Sequence, residues 1–123
     1  MAVTTIQLGN VQVGAAHRPL IIAELSGNHD QSLDKALAMV DAAAVAGAQA
    51  IKLQTYTADT MTLDINSGEF FIDNPDSLWA GTSLYKLYQI AHTPWDWHQA
   101  IFERAQSHGM LAFSTPFDLT AVD

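Results

Sequence analysis

Three short apolar runs, each closing on polar residues, constrain the fold of this chain more than any other feature. They cover residues 20–23, ending in Glu24; 50–56, interrupted by Lys52 and Gln54; and 110–114, followed by Thr115 and Pro116. Helical patterns lie between them. In residues 32–46, Leu33, Leu37, Val40 and Ala44 fall at helical spacing, and Ala36 and Ala43 widen the apolar face. Ser32 is the expected N-cap and Gly47 the stop. Residues 83–91 predict a second, short helix. A third opens with Thr93 as N-cap, Pro94 at the first position and Asp96 closing a capping box, and it ends at Gly109. Trp97, Ile101 and Ala105 form its stripe, with Phe102 beside it. Runs apolar on both faces, alternating with helices, predict buried parallel strands joined by right-handed crossovers.

Ahead of this alternation, residues 4–8 and 11–13 flank Gly9-Asn10, which predicts a small β-hairpin. Residues 57–81 are irregular and carry Phe70, Phe71, Leu78 and Trp79. A loop this long is usually functional or an insertion, and its aromatics, with Tyr85, Trp95 and Trp97, are expected to pack beneath it. The β/α pattern repeats about two and a half times, and residues 115–118 turn into what reads as another helix start. A closed (β/α)8 barrel needs ~250 residues. The 123 residues therefore form one domain, 1–123: a small open α/β unit or the N-terminal portion of a TIM-type barrel preceded by the hairpin. An end inside a presumed helix favours the second.

Composition removes several function classes. With 13 acids against 5 bases the net charge is −8, which argues against nucleic acid or an anionic membrane as partner. There are no cysteines, so disulfides and thiolate metal sites are excluded. No apolar run approaches the ~18 residues of a membrane span, and the first ten residues do not read as a secretory signal. A soluble cytoplasmic protein is the expectation.

In parallel α/β folds, ligands bind at the carboxyl ends of the strands. Here those ends offer Glu24, Ser26, Asn28 and His29; Lys52, Gln54 and Tyr56; and Ser114 and Thr115. Among the basic residues, Arg18, Lys35, Lys86 and Arg104 sit where solvated side chains are ordinary, whereas Lys52 interrupts an apolar strand. A strand lysine at such a mouth suits a phosphate or carboxylate as a compact point charge; otherwise its stem is buried and its head reaches the edge. Glu24 can orient a substrate hydroxyl or exchange a proton, or can pair with Lys52. His29 reads as a ligand or base, or as a hydrogen-bonded structural residue. Asn28 can line the mouth or form an Asx turn. Thr115 can donate to an anion or cap the next helix. His92 and His98 are expected at the surface.

Three motifs carry a family resemblance. Residues 21–29, IIAELSGNH, 48–56, AQAIKLQTY, and 113–118, FSTPFD, resemble in order and spacing the first three strand signatures of the sialic acid synthase family. ELSGNH, KLQTYTADTMTLD and the GEFFI, SLYKLY and TPWDWH segments are most similar to its pseudaminic acid branch. The resemblance implies a (β/α)8 catalytic domain followed by a small antifreeze-like domain, in homodimers. It implies condensation of phosphoenolpyruvate with an N-acetylated amino sugar, here a 2,4-diacetamido-2,4,6-trideoxy hexose, to a nonulosonic acid and phosphate. The neuraminate branch, with the same chemistry on another sugar, is the first alternative, and other phosphoenolpyruvate-condensing barrels are a second. A catalytically inert fragment or folding unit is a third. Carried onto this chain, Lys52 and Thr115 hold phosphoenolpyruvate, and Glu24 is the catalytic carboxylate. Gln54, Asn28, His29, Tyr56 and Ser114 line the substrate mouth. A divalent metal ion is implied, with its ligands outside this chain, so no metal ligand is assigned here and the 123 residues alone are expected to be inactive.

Overall fold

The computed structural model describes residues 4–122, so the ends of the expected domain, 1–3 and 123, lie outside the described residues. Strands β1 (Ile6–Leu8) and β2 (Val11–Val13) form an antiparallel hairpin. Gly9 turns at φ +57°, and a side chain there would meet Leu111 Cδ2 at 2.8 Å. The hairpin tip thus lies against the start of the third strand of the main sheet. That sheet is parallel, in the order β3 (Ile22–Glu24), β4 (Ala50–Thr55), β5 (Leu111–Pro116).

The crossover from β3 to β4 is helix α1 (Leu33–Val45). Its ends follow the local chemistry. The Ser32 hydroxyl accepts from Lys35 N, and Gly47 leaves the helix at φ +92°, where a Cβ would be strained. After β4 come a single-turn helix α2 (Ala58–Met61), closed by a reciprocal Thr57–Thr60 capping box, then helix α3 (Leu84–Ala91) capped by Ser83. Helix α4 (His98–Ser107) leads into β5, and Gly109 turns at φ +72°.

Alternation and register sort the strand residues onto two faces. Leu25, Ile51 and Leu53 join Ala36 and Val40 of α1, Ile101 and Ala105 of α4, and Met110 in one buried core, with Ala23 and Ala112 packed on it. The two helices are also tied at the surface: Arg104 donates to both Asp41 carboxylate oxygens at 2.7 Å, and His108 Nε2 contacts the same carboxylate at 2.7 Å. The opposite face carries Ile22, Lys52 and Phe113, and Ile22 and Phe113 on it are exposed.

Four expectations need correction. β3 is not buried on both faces: Ile21 and Ile22 are exposed, and among the described residues the strand pairs with β4 alone. The 57–81 segment does not bury all its apolar residues; Leu78 is 95% exposed and Trp79 half exposed. The segment is instead held by backbone pairing, a Phe71–Ser83 bridge and the Ile72 N to Thr82 O and Gly81 N to Ile72 O bonds. Nor do its aromatics form one cluster: Trp97 packs on the core, while Tyr85 donates to Asp59 Oδ1 at 2.9 Å. Finally, Thr93 does not cap a helix. After Pro94 the chain makes a 3₁₀ turn (Trp95–Trp97) without a side-chain cap, and the Thr93 hydroxyl is engaged elsewhere.

Replacing Ile101, wholly buried where α4 meets the sheet, by alanine should cost about 2–5 kcal/mol. Val45→Ala, at a position 88% exposed, should stay within about 0.5 kcal/mol. Urea unfolding of the two variants checks the core assignment.

Candidate functional site

Parallel pairing sets Glu24, the last residue of β3, directly beside Lys52 of β4. Their side chains meet, Lys52 Nζ lying 2.7 Å from Glu24 Oε1, with the lysine mostly covered and the carboxylate half exposed. One pleat further along the same face, Gln54 pairs with Thr115. Four of the expected residues therefore form a rim of one cation, one anion, one amide and one hydroxyl at the carboxyl ends of three adjacent strands. The cation is shared with solvent and so is available to an incoming anion. The carboxylate beside it can accept a proton from a hydroxyl or water that approaches the same face.

The other four candidates are not brought to this set. Ser114 is adjacent to Thr115 and points to the helix-covered face, where its Oγ lies 2.6 Å from Thr55 Oγ1. Thr55 Oγ1 is also 2.6 Å from His98 Nε2, so His98 is a half-buried member of a polar chain behind the sheet and not a surface residue. Tyr56 is buried, edge-on to Tyr88 and Phe117 at ring distances of 5.7 and 5.5 Å. Burial, reinforced by Tyr88, pushes its phenol pKa up. Asn28 turns back to donate from Nδ2 to Leu25 O at 3.2 Å, a local side-chain bond of a different kind from the Asx turn weighed above.

His29 is fully buried. Its Nδ1 accepts from Gln31 N at 3.2 Å, its Nε2 lies 3.2 Å from Thr93 Oγ1, and its ring stands edge-on to Trp97 at 5.3 Å. Burial lowers its pKa, nearby His92 adds to the effect and Asp30 opposes it. No local pattern announces the partner, because Thr93 is 64 residues away.

Among the described residues no three His, Asp or Glu side chains converge as a metal would require. Both nitrogens of His29 are engaged and Glu24 is paired with Lys52. The described side chains therefore do not fit the divalent ion that the resemblance implies, and no step below runs through one. No helix among the described residues is long and apolar enough to cross a membrane.

Residues 39–123 match the NeuB family model, and the chain belongs to the NeuB family. It is 48% identical over 112 residues to the pseudaminic acid synthase of Campylobacter jejuni, covering 91% of this chain and 32% of that protein. With the pseudaminic acid synthase of Helicobacter pylori it shares 43% over 105 residues, 85% of this chain and 30% of the other. The crystal structure of N-acetylneuraminic acid synthetase from Leptospira borgpetersenii superposes with a TM-score of 0.73 at 32% identity, over 98% of this chain and 36% of that one. The chain thus spans about a third of the length of these relatives.

The lowered pKa values of His29 and His98, both caused mainly by burial, set a pH dependence. The unfolded chain takes up protons near pH ~6.5, whereas the folded chain resists them. The stability these rings contribute is therefore complete above that pH and lost as pH falls below it. Asp41, whose carboxyl Arg104 and His108 hold well below its usual range, loses its contribution only below about pH 4. Thermal melts between pH 7.5 and 5 should show a falling Tm that is flattened in the H29Q/H98Q double variant, while D41N should lower Tm by a similar amount across this window without changing its slope, because the Asp41 contribution is complete above about pH 4.

Proposed function

We propose that this chain supplies the first part of the (β/α)8 barrel of a pseudaminic acid synthase. In this reading phosphoenolpyruvate condenses with a 2,4-diacetamido-2,4,6-trideoxy hexose in its open aldehyde form. Carbon 3 of phosphoenolpyruvate bonds to the aldehyde carbon, water adds at carbon 2, and phosphate leaves to give the nine-carbon 2-keto acid. The observation that carries the reading is the Lys52–Glu24 contact of 2.7 Å at the strand ends of a chain 48% identical to such a synthase.

The geometry supports roles for four side chains. Lys52, a compact point charge with the Thr115 hydroxyl on the same face, suits a phosphate or carboxylate oxygen. Glu24 suits the proton that must leave the attacking water or move at a sugar hydroxyl. Gln54, opposite Thr115, can donate to either substrate. Because an anion recruited by Lys52 competes with Glu24 for the same ammonium, substrate binding frees the carboxylate for its second task. The barrel reading is supported by the three parallel strands with α1 and α4 packed on one face and the polar rim on the other. A homodimer in the cytoplasm belongs to the same proposal. The neuraminate branch is the second reading, favoured by the likeness to the Leptospira synthetase.

In the full-length enzyme, Lys52→Ala should raise the KM for phosphoenolpyruvate at least tenfold and leave that for the sugar within about twofold. A lost charge-assisted hydrogen bond to an anion is worth ~1.5–3 kcal/mol. A change confined to the sugar KM would defeat the anion-site assignment. Turnover of N-acetylmannosamine in preference to the diacetamido sugar would move the protein to the neuraminate branch. The 123 residues alone should release no phosphate from phosphoenolpyruvate with sugar and metal added, as malachite-green detection would show.

A further inference from the structure

The loop that follows β3 is held in an unusual way. Ser26, Asp30 and Gln31 all adopt positive φ, near +52°, without being glycine. Gly27 lies so close to helix α3 that a Cβ would sit 2.6 Å from Ala91 O. The Gln31 side-chain amide donates to His92 O at 2.9 Å and also contacts Ile90 O. His29, between them, reaches Thr93. These contacts join the β3–α1 loop to the last turn of α3 and to the segment between α3 and α4.

Hydrogen-bond roles within the latch follow from the geometry. Gln31 N is a donor, so His29 Nδ1 accepts and carries no proton. A neutral ring then bears its proton on Nε2 and donates it to Thr93 Oγ1. The loop in turn is anchored to the root of the site. Leu25 N donates to Lys52 O at 3.1 Å, and Leu25 O accepts from both Asn28 N and Asn28 Nδ2. β3 has only three residues and pairs on one side alone among the described residues. Its own ladder is therefore a weak hold on the direction of its last side chain, Glu24.

We propose that His29 is a positioning residue: its Nε2–H bond to Thr93 latches the β3–α1 loop to the α3–α4 junction and thereby sets Glu24 against Lys52. The ring touches no substrate. The kinetic part of this inference rests on the synthase reading; the structural part does not.

Two isosteric halves of histidine separate the bonds. Asparagine places an acceptor where Nδ1 was and keeps the turn to Gln31, but loses Thr93. Glutamine places a donor where Nε2 was and keeps Thr93. In the full-length protein, with 15Nζ-lysine labelling, H29N and T93V should shift the Lys52 Nζ resonance, while H29Q and T93S leave it near the wild-type position. At saturating phosphoenolpyruvate and sugar, H29N and T93V should lower kcat at least tenfold with the KM for phosphoenolpyruvate within twofold, and H29Q should restore most of the turnover. An unmoved Lys52 signal in H29N and T93V overturns the proposal, as does a moved signal with unchanged kcat. Equal losses in T93S and T93V also overturn it, because the hydroxyl would then be irrelevant. If the wild-type protein turns over neither sugar, the synthase reading fails, and the Lys52 resonance alone decides on the latch.

Discussion

Parallel pairing of β4 with a neighbour on each side is the constraint on which the rest depends. Alternate residues of this one strand serve two purposes: Ile51 and Leu53 hold the helices, and Lys52 and Gln54 present the rim. A slip of one residue would exchange the two sets. The register is held by the apolar side. Burying Ile51 and Leu53 contributes ~1.5–3 kcal/mol each, whereas a part-exposed ion pair such as Lys52–Glu24 contributes ~0–1 kcal/mol. The charged pair is thus a passenger of the core, free to be broken by a ligand without loosening the sheet.

What was legible in the sequence was local. The hairpin at Gly9-Asn10, the Ser32 cap, the Gly47 and Gly109 stops and the β4 strand all follow from residues within a few positions of one another. The Glu24–Lys52 pairing joins two strands separated by α1, and its legibility came from the expected strand alignment, where it stood as the alternative to a catalytic Glu24. The misread features are non-local. Thr93 has a good capping sequence, but His29 competes for its hydroxyl from 64 residues away. His98 looked like a surface residue because nothing nearby predicts Thr55 as its partner. Ser114 is different, since two adjacent residues of one strand cannot face the same way. Its separation from Thr115 follows from strand alternation alone.

The buried histidines share a logic. His29 and His98 are both shifted toward neutrality by burial, and both spend a ring nitrogen on a threonine hydroxyl. Each joins an end of the α4 region to a different strand end, one through the β3–α1 loop and one through β4. The apparent richness of the strand ends in titratable groups therefore divides into a structural layer and a chemical one, with Lys52 and Glu24 alone supplying the charges of the latter.

The neck of the 57–81 segment has a consequence of another kind. Chain direction reverses between Ile72 and Gly81–Thr82, which are joined by two backbone hydrogen bonds of 3.0 and 2.8 Å. Everything beyond the neck, residues 73–80, hangs from a closed base, and its Leu78, almost fully exposed, contributes almost nothing to the interior. Lengthening such a tip costs little, since each doubling of a flexible loop adds only ~0.6 kcal/mol of closure entropy. The tip is therefore a place where this protein can tolerate changes of length and composition, as an appendage on a hydrogen-bonded base, while the strand ends beneath it stay in register.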